Sequence, residues 1–297
     1  MNHLAKVLMM LLPSLSQAFE IQGHRGARGL LPENTLPSFS AAVEAGVHGI
    51  EVDLLMTKDG EIVIHHDFFL NPRLCQYRDG SPIQNIALIK ESTLSELKEL
   101  DCGCRLHPKF PKQHLIPGTP IPTLQELLNA LSSESHPNAK MIRLNLEIKA
   151  DPATPHYIPE PALIVKKIAD IVCEKGFANR VYYSSFDLAL LAEMRRRDID
   201  CILGLILDEE SLIAQGIDPL DWLPTVISIA HSMQATIISP HYDLMTKEVV
   251  ERLHQAGLRA IPWTINQQSI CQHLIEMGAD GVITDYPIDM LAFVNRS

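Results

Sequence analysis

A chain of 297 residues, 46% of them hydrophobic, is long enough to bury a full core, as one large domain or as two ordinary ones. Its 25 basic and 36 acidic side chains leave a net charge of −11, which disfavours a nucleic-acid partner. A small anionic substrate would therefore need positive charge concentrated at its binding site.

The first 18 residues have the layout of a short signal peptide. Lys6 precedes an apolar run over 7–15, and residues 16–18 place small side chains before a cleavage site. This run is too short to span a bilayer, and no later segment is long enough. We expect export to the periplasm or beyond, cleavage near Ala18 and no membrane segment in the mature chain. A cytoplasmic protein with an amphipathic N-terminus is the alternative.

After residue 18, β-rich segments alternate with segments of helical period. The predicted strands are 19–24, 49–55, 142–149, 180–185, 200–207, 236–240, 259–265 and 281–285. The predicted helices between them are 36–45, 161–175, 187–197, 221–233, 246–256 and 269–277. This alternation predicts an α/β fold that closes as a TIM (β/α)8 barrel. A doubly wound open sheet is the alternative, although the glycine fingerprint of a dinucleotide site is missing.

One stretch after the second predicted strand breaks the alternation. It is rich in proline and glycine and contains one clear helical segment, 93–100, before the helical pattern resumes at 123–131. We interpret residues 67–122 as a small insertion on a βα loop, which in a barrel lies at the catalytic face. The expected organisation is a signal peptide over 1–18 and one domain over 19–297.

The six cysteines lack the C-x-x-C spacing of zinc or redox motifs. Cys75, Cys102 and Cys104 fall in the loop-rich insertion, where export would allow one disulfide. The sequence does not determine which pair forms. The other three lie in apolar segments and are expected to be buried thiols: Cys173, Cys201 and Cys271.

Acidic residues alternate with apolar ones on two predicted strands. Glu51 and Asp53 share one face, as do Glu147 and Lys149, because side chains two residues apart in a strand point the same way. Carboxylates on the inner face of such strands are costly unless a positive group is bound there. The three acids are therefore candidate ligands of a divalent cation, Ca²⁺ or Mg²⁺ rather than zinc. A structural network with Lys149 or Arg25 is the alternative.

Two histidines are expected near these acids. His24 ends the first predicted strand and precedes Arg25, and His66 follows the hairpin after the second. Histidine transfers protons near neutral pH, and arginine binds phosphate in a bidentate manner. Together with Lys149, this set predicts phosphoester chemistry, in which one histidine activates the attacking oxygen and the other protonates the leaving oxygen.

At this point the sequence resembles the glycerophosphodiester phosphodiesterase family. The resemblance runs in order from residue 19 onward and implies a TIM barrel with a small insertion. It rests on the following motifs: His24-Arg25-Gly26-Ala27, Pro32-Glu33-Asn34-Thr35, Glu51-Val52-Asp53, Lys58-Asp59-Gly60, His66-Asp67, Ile121-Pro122-Thr123-Leu124, Glu147-Ile148-Lys149, Ser185-Phe186, Trp263-Thr264-Ile265-Asn266 and Gly278-Ala279-Asp280-Gly281-Val282-Ile283-Thr284-Asp285-Tyr286-Pro287.

The resemblance also implies roles for matching residues. Carried over one by one, they are His24 and His66 as the general acid and base, Glu51, Asp53 and Glu147 as metal ligands, and Arg25 and Lys149 as phosphate ligands.

Three interpretations concern aromatic or imidazole side chains. His66 is preferred to His65 because strand alternation places only one of them on the site face, and Asp67 completes the family motif. Trp263 would offer an apolar wall to the glycerol part of the substrate, a core tryptophan being the alternative. Phe186 is interpreted as a packing residue.

The implied activity is metal-dependent hydrolysis of a small glycerophosphodiester to sn-glycerol 3-phosphate and an alcohol. One alternative is a lysophospholipase D-like enzyme that forms a cyclic phosphate; it would need an apolar channel for an acyl chain, of which the insertion gives no sign. Another is a non-catalytic phosphodiester-binding protein, which the loss of one histidine would favour. The sequence does not determine the head group, the native cation or the oligomeric state.

Overall fold

The computed structural model of the protein describes residues 19–133 and 135–296, so the predicted signal peptide lies outside the described residues. The strands are β1 (Glu20–Gly23), β2 (Gly49–Met56), β3 (Ile62–Ile64), β4 (Gln76–Tyr77), β5 (Leu100–Asp101), β6 (Arg143–Ile148), β7 (Val181–Ser185), β8 (Leu203–Leu207), β9 (Ile237–Pro240), β10 (Arg259–Ala260) and β11 (Gly281–Thr284). The α-helices are α1 (Leu36–Ala45), α2 (Leu94–Lys98), α3 (Leu124–Ser133), α4 (Pro161–Glu174), α5 (Leu188–Arg197), α6 (Glu209–Ala214), α7 (Trp222–Met233), α8 (Lys247–Gln255), α9 (Gln268–Met277) and α10 (Pro287–Val294). Within the described ranges, no helix has both the length and the apolar character needed to cross a membrane.

Eight of these strands run parallel and form a nearly closed barrel, in the order β10-β9-β8-β7-β6-β2-β1-β11. The first strand, β1, pairs with both β2 and the last strand, β11. Backbone hydrogen bonds bridge β10 and β11, since the Asp280 N–H donates to Ala260 O at 2.9 Å and the Ile283 N–H donates to Pro262 O at 3.0 Å. The predicted TIM barrel is therefore confirmed.

Two details of the barrel differ from the sequence prediction. β10 ends at Ala260, well before the end of the predicted segment 259–265, because Pro262 has no N–H to donate to a strand ladder. The sequence pattern also does not predict α6 and α10. With only six residues, α6 is too short to show a helical period, and it depends on a capping box in which the Ser211 N–H donates to the Asp208 carboxylate at 2.8 Å.

The alternation along β2 explains how the barrel separates polar from apolar side chains. Ile50, Val52 and Leu54 are fully buried and belong to the large apolar core. Glu51 and Asp53, which lie between them, point to the opposite side of the strand, into the barrel. A strand of the barrel wall can therefore contribute both to the core and to a polar interior.

Between β3 and α3 the chain leaves the barrel wall. β3 pairs antiparallel with the C-terminal half of β2, and β4 and β5 form a separate two-stranded antiparallel sheet. α2 begins after Thr93, whose side chain and backbone form a capping box with Glu96. This helix ends two residues before the predicted end at Leu100, because Leu100 is the first residue of β5.

The expectation of three buried thiols holds only for Cys271, which is 0% exposed. Cys173 is exposed and Cys201 is half-buried. Cys173 follows Val172, which packs into the core, and each step along a helix rotates the side chain by about 100°. The residue after Val172 therefore faces outward, although the two residues before it, Ile171 and Val172, are apolar.

A disulfide joins Cys75 to Cys102 across a sequence separation of 27 residues. We expect the double substitution Cys75→Ala with Cys102→Ala to lower the free energy of unfolding by about 3 kcal/mol, because the cross-link restricts the unfolded chain. Urea denaturation measures this change. The control is Cys104→Ser, which alters a half-buried free thiol nearby and should have a much smaller effect. A double variant as stable as the control would contradict the expectation.

Candidate active site

The predicted site residues meet at the carboxyl ends of the barrel strands. His24 directly follows β1, Glu51 and Asp53 lie on β2, and Lys149 directly follows β6. Asp53 and Glu147 are register partners on the adjacent strands β2 and β6, so their carboxylates lie side by side. In TIM barrels this end of the strands carries the active site.

The turn after His24 contains two residues in the left-handed backbone conformation, and this conformation directs a backbone N–H toward the acidic residues. Arg25 has a φ of 51° and Gly26 a φ of 85°, both in the left-handed region. A Cβ on Gly26 would lie 2.5 Å from Ser38 Oγ, so the turn requires glycine there. In this conformation the Arg25 N–H donates to Glu51 Oε2 at 2.9 Å, which links the turn to the acidic residues on β2.

Glu51, Asp53 and Glu147 form a buried cluster, with one carboxylate oxygen from each within 4.8 Å of the others. Burial, together with the negative charges of Asp53 and Glu147, raises the pKa of Glu51 well above its usual value. Glu51 Oε1 is buried and has no hydrogen-bond donor among the described residues. A hard cation would supply the charge that these oxygens lack. The carboxylate cluster therefore fits a divalent metal ion and could hold one.

The structural network that the sequence left as an alternative is also present, but it neutralises the cluster unevenly. Lys149 Nζ lies 2.5 Å from Glu147 Oε1 and 3.3 Å from Asp53 Oδ1, and Arg25 Nε lies 3.1 Å from Asp53 Oδ2. Although burial opposes ionisation, Arg25 and Lys149 hold the pKa of Asp53 well below its usual value. Within the part of the chain that the structure describes, Glu51 receives the Arg25 backbone N–H but no charged hydrogen-bond donor. The network thus leaves room for a cation beside Glu51.

His24 is 8% exposed and is held between two acids. Its Nδ1 lies 2.7 Å from Asp285 Oδ1, and its Nε2 lies 3.8 Å from Glu51 Oε2. Burial and the nearby Arg25 lower the pKa of His24, against the opposing effect of Asp285. The lowered pKa favours the neutral imidazole, which is able to accept a proton.

His66, rather than His65, lines the same cavity as His24. His66 Nδ1 lies 2.7 Å from Asp67 Oδ1. Burial, with the charges of Lys149 and Arg25, lowers the pKa of His66 to about 4. His65 is buried elsewhere, with Nε2 3.3 Å from Phe69 O.

The cavity has a volume of about 220 Å³. Seven of the eight sequence-predicted site residues line it: His24, Arg25, Glu51, His66, Glu147, Lys149 and Trp263. The eighth, Asp53, is 1% exposed and contacts the cavity-lining residues Arg25 and Lys149.

One wall of this cavity is aromatic. The Trp263 Nε1–H donates to Ser239 O at 2.9 Å, which fixes the indole ring. The Phe186 ring meets it edge-on, with 5.6 Å between ring centroids. Phe186 was expected only to pack, but it lines the cavity, so both aromatic faces are available to an apolar part of a ligand.

A second and larger cavity, of about 600 Å³, adjoins the first. The two share four lining residues: His66, Lys149, Phe186 and Asp208. Much of the larger wall comes from the apolar side chains of Phe68, Phe69 and Ile86. A ligand bound beside His66 could therefore extend from the polar cavity into the larger one.

Three acids lie at the site in addition to those that the sequence predicted. Glu33 accepts a hydrogen bond from Arg25 Nη1 at 2.8 Å, and Arg25 holds the pKa of Glu33 at about 2 despite burial. Asp285 contacts His24, as described above. Asp208 caps α6 and lines both cavities. Glu33 and Asp285 lie inside motifs that resemble those of the family, so the sequence carried a signal that they belong to the site. Asp208 lies outside these motifs.

The fold and the site define a TIM-barrel protein in which two histidines line the same cavity as a carboxylate cluster that could hold a cation. The family model described as the glycerophosphoryl diester phosphodiesterase family matches residues 24–289. The chain therefore belongs to the glycerophosphoryl diester phosphodiesterase family, as the sequence motifs indicated.

Individual relatives span nearly the whole chain. A glycerophosphodiester phosphodiesterase of Caldanaerobacter subterraneus is 29% identical over 273 residues, which cover 92% of this chain and 96% of the relative. A structure from Silicibacter pomeroyi, assigned to the glycerophosphoryl diester phosphodiesterases, has a TM-score of 0.84 and 30% identity, with 97% of each chain covered.

Two more distant proteins are also similar. An Oleispira antarctica phosphodiesterase, solved with the product sn-glycerol 3-phosphate, shares the fold with a TM-score of 0.73 and 23% identity, covering 93% of this chain and 96% of that one. A lysophospholipase D of Rattus norvegicus is 23% identical, over 92% of this chain and 85% of the relative.

Proposed function

We propose that the chain hydrolyses glycerophosphodiesters to sn-glycerol 3-phosphate and an alcohol, with His24 and His66 as general acid and base and a divalent cation held by the carboxylate cluster. The phosphodiesterase activity follows from membership of the family. The observation that carries the proposal is the convergence of two imidazoles, two cationic side chains and the carboxylate cluster on one cavity.

Arg25 and Lys149 would bind the phosphate. Both are nearly buried and line the cavity, so they concentrate positive charge where the chain as a whole is acidic. Arginine suits bidentate binding of phosphate oxygens, and lysine acts as a point charge. Because both side chains are also paired with carboxylates, the bound divalent cation would supply the rest of the positive charge that an anionic substrate needs in a chain of net charge −11.

The two histidines would divide the proton transfers. One imidazole accepts the proton of the attacking oxygen, and the other donates a proton to the leaving oxygen. In His24 and His66 alike, Nδ1 is engaged by an aspartate, which leaves Nε2 for the reaction. A phosphodiester bound between them would oppose the lowering of their pKa values, because its negative charge favours the imidazolium form.

Glu51, Asp53 and Glu147 would hold the cation. All the donor atoms are carboxylate oxygens, so Ca²⁺ and Mg²⁺ are the candidates. When bound, such an ion polarises a phosphoryl oxygen and offsets developing negative charge.

The two cavities suggest how the substrate is oriented. The smaller one, with Trp263 as an apolar wall, would take the glycerol phosphate, and the larger one beyond His66 would take the alcohol that leaves. The larger cavity has apolar walls, which the sequence did not indicate. A lysophospholipase D-like activity nevertheless has less support, because glycerophosphodiester phosphodiesterases are 29% and 26% identical to the chain whereas the lysophospholipases D are 23–25% identical.

A direct assay tests the proposed function. Purified protein supplied with Ca²⁺ or Mg²⁺ is expected to release sn-glycerol 3-phosphate from glycerophosphocholine and glycerophosphoethanolamine, detected with a coupled enzyme. Excess chelator should abolish the release, and adding back each cation separately should identify the one that restores it. Absence of release from both diesters with either cation would contradict the proposed function.

We also propose that the chain is exported and cleaved near Ala18. The layout of residues 1–18 and the disulfide between Cys75 and Cys102 support an oxidising compartment. Mass spectrometry of the natively expressed protein is expected to find Phe19 as the first residue. An intact Met1 on protein recovered only from the cytosol would contradict export.

A further inference from the structure

Asp285 lies directly after β11, at the same barrel mouth as the carboxylate cluster, and is 2% exposed. Its Oδ1 lies 2.7 Å from His24 Nδ1 and 3.0 Å from Arg28 Nε. Its Oδ2 accepts a hydrogen bond from Asn266 Nδ2 at 2.7 Å. The carboxylate is thus held from three directions, and one of them is the imidazole of His24.

The hydrogen bonds fix which atoms of this group donate. Asn266 Oδ1 accepts the Asp285 backbone N–H at 3.0 Å, so the amide nitrogen of Asn266 must be the atom that faces Asp285 Oδ2. Despite burial, His24 and Arg28 hold the pKa of Asp285 far below its usual value, so its carboxylate only accepts hydrogen bonds. The hydrogen between Asp285 and His24 therefore resides on His24 Nδ1.

We propose that Asp285 is a positioning residue that keeps His24 in the Nδ1–H tautomer, with the lone pair of Nε2 directed into the cavity. This inference rests on the proposed role of His24 in proton transfer. In a neutral imidazole only one nitrogen carries hydrogen, so the tautomer decides whether Nε2 can accept a proton from a bound reactant. A carboxylate that serves only to neutralise Arg28 would have no such effect on His24.

The second histidine has an independent arrangement of the same type. His66 Nδ1 lies 2.7 Å from Asp67 Oδ1, and Asn71 Nδ2 donates to Asp67 Oδ2 at 2.6 Å. Each cavity-lining imidazole therefore contacts an aspartate through Nδ1, and the second oxygen of that aspartate accepts a hydrogen bond from an asparagine amide. The repetition on unrelated loops supports a role in orienting the imidazoles rather than a local packing effect.

Asp285→Asn tests the inference, because it keeps the size of the side chain but offers an amide N–H to His24 Nδ1, which favours the opposite tautomer. With glycerophosphocholine and saturating cation, kcat is expected to fall about 10²–10⁴-fold while KM changes by less than about threefold. In ¹⁵N spectra of histidine-labelled protein, the His24 signal is expected to change from the Nδ1–H to the Nε2–H form. A His24→Gln sample assigns that signal among the 13 histidines.

The matched control is Asp280→Asn. Asp280 directly precedes β11, at the opposite end of the strand from Asp285, and accepts a hydrogen bond from a different histidine, His254 Nε2, at 2.9 Å. Neither Asp280 nor His254 lines the cavity. We expect this variant to keep the kcat of the unsubstituted protein. Loss of kcat in both variants would indicate that substitutions at either end of β11 disturb the strand in general. The loss in Asp285→Asn would then not depend on His24, and the inference would be overturned.

Two further results keep the inference separate from the proposed function. If His24→Ala is inactive but Asp285→Asn keeps its kcat, the inference is wrong and the acid–base proposal stands; full activity of His24→Ala would contradict the acid–base proposal itself. If Asp285→Asn fails to fold, the spectrum of the unsubstituted protein still decides, because an Nε2–H tautomer at His24 near pH 7 would overturn the inference.

Discussion

Alanine in place of His24 or His66 is expected to reduce kcat by about 10²–10⁴-fold or more, because the reaction loses one of its two proton carriers. A single imidazole cannot act as base and acid at the same moment. The matched control is His65→Ala, which removes the neighbouring imidazole that faces Phe69 O rather than the cavity, and which should keep its kcat. Steady-state kinetics with saturating cation, with circular dichroism to check folding, measure all three variants.

The pH dependence of the rate gives an independent readout. A group that must be neutral makes the rate rise as pH increases through its pKa, and a group that must be protonated makes the rate fall. The unsubstituted protein should therefore show a bell-shaped profile, and each histidine variant should lose one limb of it. If His65→Ala is inactive while His66→Ala turns over normally, the choice between the two neighbours is wrong. If His24→Ala and His66→Ala both remain active, the two-histidine mechanism fails.

The second large effect is expected from Glu51→Gln, which preserves size and removes one negative charge from the carboxylate cluster. Oxygen-coordinated cations bind according to the number of charged ligands, so affinity for Ca²⁺ or Mg²⁺ should fall by about 100-fold or more. Isothermal titration calorimetry measures the affinity, and activity at limiting cation should fall with it. Glu44→Gln, on an exposed position of α1, removes the same charge away from the site and is the control.

The same variant makes a prediction about stability in the absence of cation. Burial and the charges of Asp53 and Glu147 raise the pKa of Glu51, so ionised Glu51 destabilises the empty site. Glu51→Gln should therefore unfold at an equal or higher temperature than the unsubstituted protein in chelator, although it binds cation less well. Full activity of Glu51→Gln in excess chelator would contradict the metal assignment.

These effects trace back to the same physical arrangement. The barrel brings three carboxylates together at one mouth, and Arg25 and Lys149 neutralise mainly Asp53 and Glu147. Glu51 remains the least compensated charge of the cluster. Removing its charge is for that reason expected to affect cation binding and stability in opposite directions.

The sequence by itself determined the features that depend on local periodicity. The alternation of strands and helices predicted the barrel, because period-two and helical patterns are visible in short windows. The two-residue spacing of Glu51 and Asp53 placed both on the inner side of β2. The order of short motifs indicated the family to which the chain belongs.

Only the tertiary structure decided which distant residues meet. The contact between His24 and Asp285 joins positions 261 residues apart and exists because β1 and β11 are neighbours in the closed barrel. The choice of Cys102 over Cys104 as the partner of Cys75, and the formation of the larger apolar cavity, depend on how the loops fold over the mouth. Such contacts follow from ring closure and loop packing in three dimensions, which no local pattern of residues encodes.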